Sequence, residues 1–143
     1  FIELEDAWIE TDNPEKSKEL CMRFGDKIPY KALQVAKDLE DESIFVTVLN
    51  MSTIKPLDKK AIIELAKENS AIVTVEEHQI AGGMGSAVAE VLAENNPVPI
   101  EYVGVRDLFG QSGTPDELIE HYGMGTKHIK EAVQKVLKRK NLG

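Results

Sequence analysis

Between Val73 and Ser86 the chain reads Val-Thr-Val-Glu-Glu-His-Gln-Ile-Ala-Gly-Gly-Met-Gly-Ser, an apolar β-type run that ends in two acids and a histidine before a glycine turn. Few arrangements satisfy such a segment. Glycines allow tight or positive-φ geometry, and the first N–H groups of a helix have no partner within it. The segment therefore predicts a strand feeding a helix N-terminus at the edge of a parallel sheet, where open α/β folds gather their ligands.

The flanking sequence fits that picture, because helical and strand-like patterns alternate from Ile28 onward. Pro29 opens a helix whose apolar face is Leu33, Val35, Ala36 and Leu39, and Asp41-Glu42-Ser43 ends it. Ile44 to Leu49 is a short β-branched run that predicts a buried strand. Asp58 is a candidate N-cap for a helix from Lys59 to Glu68, with Ile62, Ile63, Leu65 and Ala66 near its buried face. Ala71 to Val75 predicts a strand, Met84 to Glu94 a helix stopped by Asn95-Asn96-Pro97, and Val98 to Val103 the last strand. Thr114-Pro115-Asp116-Glu117 has capping-box spacing, and Thr126 is placed to cap a longer helix. Lys135, Lys138, Arg139 and Lys140 crowd the far end of that helix, where they complement its dipole and read as a solvated end. Phe1 to Glu10 is a candidate strand, and Leu20 to Phe24 a weaker one interrupted by Arg23.

At 143 residues the chain fits one domain, large enough to bury a core without disulfides. Its 17 basic and 25 acidic residues give a net charge of -8, which disfavours nucleic acid or an anionic membrane as the main partner. The single cysteine, Cys21, points to a reduced, cytoplasmic setting, and a buried thiol is its plainer role. No apolar run approaches the roughly 20 residues that span a bilayer. A first residue of Phe rather than Met suggests a piece of a longer chain.

Several residues invite chemistry, and each has a plainer explanation. Gly82-Gly83-Met84-Gly85-Ser86 suits an anion at a helix N-terminus, but it lacks both the dinucleotide fingerprint and the P-loop lysine. Small residues would equally let the helix approach the sheet or a neighbouring subunit. Glu76, Glu77 and His78 suggest an acid–base set, yet successive residues of an extended segment face opposite ways. Second-layer or interface roles fit them better. His78, His121 and His128 lack metal-ligand spacing, and Ser112 lacks the Gly-x-Ser-x-Gly elbow.

Together, Lys31-Ala-Leu-Gln-Val-Ala-Lys-Asp-Leu39, Val48-Leu-Asn-Met-Ser-Thr-Ile-Lys-Pro-Leu-Asp58, Glu76-Glu77-His78 with Gly82-Gly83-Met84-Gly85, and Val103-Gly-Val-Arg-Asp-Leu-Phe-Gly-Gln-Ser-Gly113 resemble the C-terminal domain of transketolase. The likeness extends through Tyr122-Gly123 and covers nearly the whole chain, although Lys18 to Phe24 is more charged than the family's strand before Gly25.

The resemblance implies a three-layer α/β/α domain with a five-stranded, mostly parallel mixed sheet, order 1-3-2-4-5 with strand 1 antiparallel. It implies an enzyme that moves a two-carbon ketol unit between sugar phosphates on thiamine diphosphate and Mg²⁺. Those cofactors belong to other domains, so no catalytic, cofactor-binding or metal-binding residue is expected here, and Asn95-Asn96 is a helix stop rather than a cofactor motif. The expected partners are the remaining transketolase domains or an N-terminal subunit, in a homodimeric assembly. Glu77, His78, Gly82, Gly83, Gly85 and Ser86 are the candidate contact residues. Rival readings are the equivalent domain of deoxyxylulose-phosphate synthase or of a 2-oxoacid dehydrogenase β-subunit, and an autonomous anion-binding regulatory domain.

Overall fold

The computed structural model describes residues 2–4, 7–9 and 27–142, which fall into two compact units divided after Thr53. The candidate strand Leu20–Phe24 and Cys21 lie outside the described residues.

In the first unit, β1 (Ile2–Leu4) pairs antiparallel with β2 (Ala7–Ile9), Glu3 opposite Trp8. The helix α1 (Lys27–Glu40) forms as its pattern predicts, with Leu33, Val35 and Leu39 buried. Its last carbonyls accept from the amides of Glu42, Ser43 and Ile44, with Ser43 at positive φ. Residues 44–49 depart from the expected strand. They join no sheet among the described residues, although their exposure keeps a two-residue period. Val46 and Val48 pack with Leu33 and Tyr30 of α1, whereas Phe45 is 80% exposed. A β-branched run supplies the propensity for a strand but not the neighbour that completes its ladder.

The second unit contains the strand–helix–strand element foreseen from the glycine turn. It begins with α2 (Lys59–Asn69), capped by Asp58, whose Oδ1 accepts from the Ala61 amide at 3.0 Å. Then come β3 (Ile72–Gln79), α3 (Met84–Asn95), β4 (Ile100–Val105), α4 (Pro115–His121) and α5 (Thr126–Lys140). β3 and β4 are parallel, with Thr74 opposite Tyr102 and Val75 opposite Val103. Both strands extend further toward their carboxyl ends than the apolar runs suggest, so Glu76, Glu77 and His78 lie within β3 rather than beyond it. Facing residues of a parallel pair share a side of the sheet. Thr74 and Tyr102 meet Gly85 of α3, while Glu101 bonds to α5, so the two helices cover opposite faces. The architecture of this unit is α/β, with two described strands.

Val88, Val91 and Leu92 of α3 are buried, as are Ile62 and Ala66 of α2, which packs against it. On the other face lie Ile129, Val133 and Val136 of α5. Each such aliphatic side chain contributes about 1.5–3 kcal/mol when fully buried.

The basic end of α5 is not merely solvated. Lys135 Nζ and Arg139 Nη1 each donate to the buried Glu101 carboxylate at 2.7 Å, and Arg139 also donates to the Ile100 carbonyl at 2.6 Å. Lys140 donates to the Asn69 carbonyl at the end of α2. A buried carboxylate needs such partners, and these cations pin the helix end to strand and helix alike. The N-cap of α5 is Gly125, with Thr126 one position inside. At α4 the expected capping box is present: the Thr114 amide donates to Glu117 Oε2 at 2.9 Å and the Glu117 amide to Thr114 Oγ1 at 3.4 Å. The Thr114 amide, and the Thr114 hydroxyl that donates to Glu117 Oε2 at 2.8 Å, hold the Glu117 carboxyl below its usual pKa.

Two predictions follow from these contacts. Burial alone would raise the Glu101 pKa, but Lys135 and Arg139 outweigh it and draw the value below the ordinary 4.5. Its contribution is therefore fully present above the unfolded carboxylate pKa and is lost as pH falls through the lower folded value. Glu101→Gln should flatten the acid limb of stability against pH, measured by urea midpoints. Thr114→Ala should cost about 0.5–1 kcal/mol, toward the weaker end for caps because its accepting bond is long. A thermal or urea midpoint reads it directly.

Candidate functional site

The candidate site forms where β3 gives way to α3. After Val75 and Val103 the ladder loses register, and it resumes at Gln79 and Val105, so Glu76, Glu77 and His78 stand opposite Gly104 alone. This is a bulge, which bends a strand and re-aims its side chains. A Cβ on Gly104 would be crowded, 3.0 Å from the His78 carbonyl and 3.1 Å from that of Glu76.

Alternation sets Glu77 on the side opposite Glu76, and the bulge leaves His78 exposed as well. Glu76 turns inward and is 8% exposed, whereas Glu77 and His78 face solvent. His78 Nδ1 lies 3.1 Å from the carbonyl of its neighbour Gln79. The three side chains do not form an acid–base set.

Glu76 instead reaches the first turn of α3. Its Oε2 accepts from the Met84 amide at 2.7 Å and its Oε1 from the Gly85 amide at 2.9 Å. Those amides are the donors that a helix cannot satisfy from within, and their end of the helix dipole favours a negative charge. An anion does sit at this glycine turn, and it is the chain's own carboxylate. The turn closes by further bonds: the Gly82 amide donates to Ser86 Oγ at 3.0 Å, and Ser86 Oγ donates to the Ile80 carbonyl at 2.7 Å. Gly82 has φ +78°, the left-handed region that glycine enters most readily.

Of the candidate contact residues, Glu77, His78 and Gly82 are exposed, Gly83 and Ser86 are partly buried, and Gly85 is buried. A Cβ on Gly83 would overlap Glu76 Oε2 and the Gln79 carbonyl. One on Gly85 would stand 2.6 Å from Thr74 Oγ1 and 2.9 Å from the Tyr102 ring. These two glycines thus serve close packing within the unit.

A second part of the site was not anticipated. Gln79 accepts from the Asp107 amide at 2.8 Å through Oε1 and donates to the Leu108 carbonyl at 3.4 Å through Nε2. Tyr122 donates to the Phe109 carbonyl at 2.8 Å. The loop after β4 is therefore fastened by its backbone, while Phe109 is 97% exposed and Leu108 half-exposed. No spacing rule links Gln79 to a loop so distant in sequence. The only hint was two apolar residues, Leu108 and Phe109, set among turn formers.

Comparison with known proteins bears on this geometry. The sequence profile of the family described as "Transketolase, C-terminal domain" matches residues 27–129. The chain belongs to that family. It is 45% identical over 111 residues to the 6-deoxy-6-sulfo-D-fructose transketolase subunit SqwH of Clostridium sp. (strain MSTE9), covering 78% of this chain and 34% of that protein. It is 39% identical over 114 residues to the 1-deoxy-D-xylulose-5-phosphate synthase of Escherichia coli (strain 55989 / EAEC), covering 79% and 17% respectively. A solved structure described as a split gene transketolase, inactive beta4 tetramer, matches with a TM-score of 0.74 and 48% identity, over 78% of this chain and 36% of that one. This transketolase C-terminal domain spans about a third of the split-subunit relatives.

The family is one of thiamine-diphosphate enzymes. Among the described residues, the α3 N-terminus would be the natural seat for a diphosphate, but the Glu76 carboxylate occupies its amides and would repel a second anion. The first turn of α3 does not fit that cofactor. Because Gly83 abuts a carboxylate oxygen and a backbone carbonyl, Gly83→Ala should destabilise the isolated chain by about 1–3 kcal/mol through overpacking. The check is the urea midpoint of the 143-residue chain.

Proposed function

We propose that this chain is a single transketolase C-terminal domain that serves assembly and has no catalytic, cofactor-binding or metal-binding residue of its own. The complete enzyme would transfer a two-carbon ketol unit between sugar phosphates, using thiamine diphosphate and Mg²⁺ held elsewhere, in the cytoplasm. Its full sheet would be five-stranded in the order 1-3-2-4-5, with strand 1 antiparallel. Relatives are named for a 6-deoxy-6-sulfo-D-fructose and for apulose 4-phosphate, so the family's sugar substrates differ between members.

The observation that carries the proposal is the pairing of a helix N-terminus already filled by Glu76 with a fastened loop that holds Phe109 in solvent. The first argues against a phosphate ligand. The second suits a docking surface, because an apolar side chain on a fixed backbone can enter a partner's pocket at little further loss of entropy. Glu77, His78 and Gly82 would add exposed contact residues, with Gly83, Gly85 and Ser86 shaping the turn that carries them. Partners would be the other transketolase domains or an N-terminal subunit, in an assembly containing two copies of this domain. The relative described as a beta4 tetramer supports association between copies.

Analytical ultracentrifugation of the complete enzyme tests the proposal. Phe109→Ser should weaken assembly at least tenfold and reduce ketol transfer in parallel, while the urea midpoint of the isolated chain stays unchanged. The isolated chain should give no heat of binding with thiamine diphosphate and Mg²⁺. Full assembly of the Phe109 variant, or cofactor binding by the chain alone, would overturn the reading.

A further inference from the structure

The first turn of α3 has the make-up of a carboxylate-binding site filled from within. Two amides, of Met84 and Gly85, point at the oxygens of Glu76. Gly83 and Gly85 leave space where side chains would strike those oxygens. A third donor waits beside them. The Thr74 side chain is 5% exposed, and its hydroxyl has no hydrogen-bond partner among the described residues. It lies against Gly85, 2.6 Å from where a Cβ would stand, with Glu76 Oε1 3.0 Å from the same point.

The strand delivers the carboxylate at the bulge, and the bulge is also where the proposed contact surface begins. On the outer side stand Glu77 and His78. One residue on, Gln79 returns to the ladder and grips the backbone of Asp107 and Leu108. Displacing Glu76 from α3 would free both the turn and the strand segment from which Gln79 reaches the loop.

We propose that Glu76 is the positioning residue of this surface, the in-chain ligand of an anion site that becomes open to free carboxylates when its side chain is removed. The positioning half rests on the contact reading above, while the anion site stands on its own geometry. Glu76 touches no substrate here, and it acts through Met84, Gly85 and Gln79.

The test uses the full chain, with sodium acetate as probe and sodium chloride at equal ionic strength as control. In wild type, the Met84 and Gly85 amide resonances should show no saturable acetate shift, because their acceptor is in place. In Glu76→Ala the melting temperature should fall, both amides should shift saturably with acetate, and the melting temperature should recover. Thr74→Val in that background should weaken the acetate response severalfold. The Asp107 amide, which bonds to Gln79, should move away in the variant and return with acetate, which a merely local packing defect would not produce. An acetate-insensitive Glu76→Ala, or an equal response in wild type, overturns the site.

Should Glu76→Ala fail to fold, Glu76→Gln decides by hydrogen exchange. The amide keeps one accepting oxygen for two donors, so protection should drop at Met84 or Gly85 while Val91 and Leu92 hold. Unchanged protection at both would refute the role. In the complete enzyme, acetate should restore assembly lost in Glu76→Ala. Restored amides without restored assembly would sink the positioning half and leave the site standing, whereas an indifferent Phe109→Ser enzyme would remove the contact reading itself.

Discussion

The two hydrogen bonds from the Met84 and Gly85 amides to Glu76 organise the junction of β3 with α3. Charge-assisted bonds of this kind contribute about 1.5–3 kcal/mol each, and the helix dipole adds up to about 2 kcal/mol in partly buried geometry. Against this stands the desolvation of a carboxylate that is 8% exposed, which costs several kcal/mol if it is unpaired. The net gain in stability is therefore modest. What the interaction specifies strongly is geometry: Glu76 shares the α3 side of β3 with Thr74, two residues before it, and the close approach depends on glycine at 83 and 85.

A second buried acid works on the opposite face of the sheet. Glu101 is met by the cations of α5, whereas Glu76 is met by neutral amides and a dipole. Both are acidic residues on strands, and both draw a helix onto the sheet. They differ in what a perturbation does. Lys135 and Arg139 are themselves substantially exposed, so salt and solvent screen their grip. The amides of α3 are fixed by the helix and cannot swing away. The proposed contact surface lies at the more rigid of the two anchors.

Local chemistry was legible in the sequence, and long-range pairing was not. Asp58, the Thr114–Glu117 box and Asn96 before Pro97 end or start helices where their side chains and neighbours dictate, because capping acts over three or four residues. The strand–turn–helix from Val73 to Ser86 also appears as expected, whereas alternation alone would set His78 on the same side as Glu76 and the irregular register leaves it exposed. Ile44–Leu49 joins no ladder among the described residues, since a ladder needs a partner that propensity cannot supply. The basic run at 135–140 looked like solvated charge because Glu101 is more than thirty positions away in the chain. An acid in an otherwise apolar strand, Glu101 between Ile100 and Tyr102, was the available signal for a buried ion pair.

The same asymmetry bears on how the domain would meet a partner. Leaving Phe109 in water forgoes about 1.5–3 kcal/mol, and single exposed apolar residues are common on monomers. The distinguishing fact is the restraint, since Gln79 and Tyr122 bond to three successive residues and deny the loop a collapsed form. One phenylalanine buries about 150–250 Å², well short of the roughly 1,200–2,000 Å² of a stable contact. Phe109 would therefore act as the anchor of a wider surface, with the turn and the exposed face of the bulge supplying its polar rim. Such an anchor tolerates little misplacement. A loop held through Gln79 inherits its position from β3, and β3 is held at that point by Glu76.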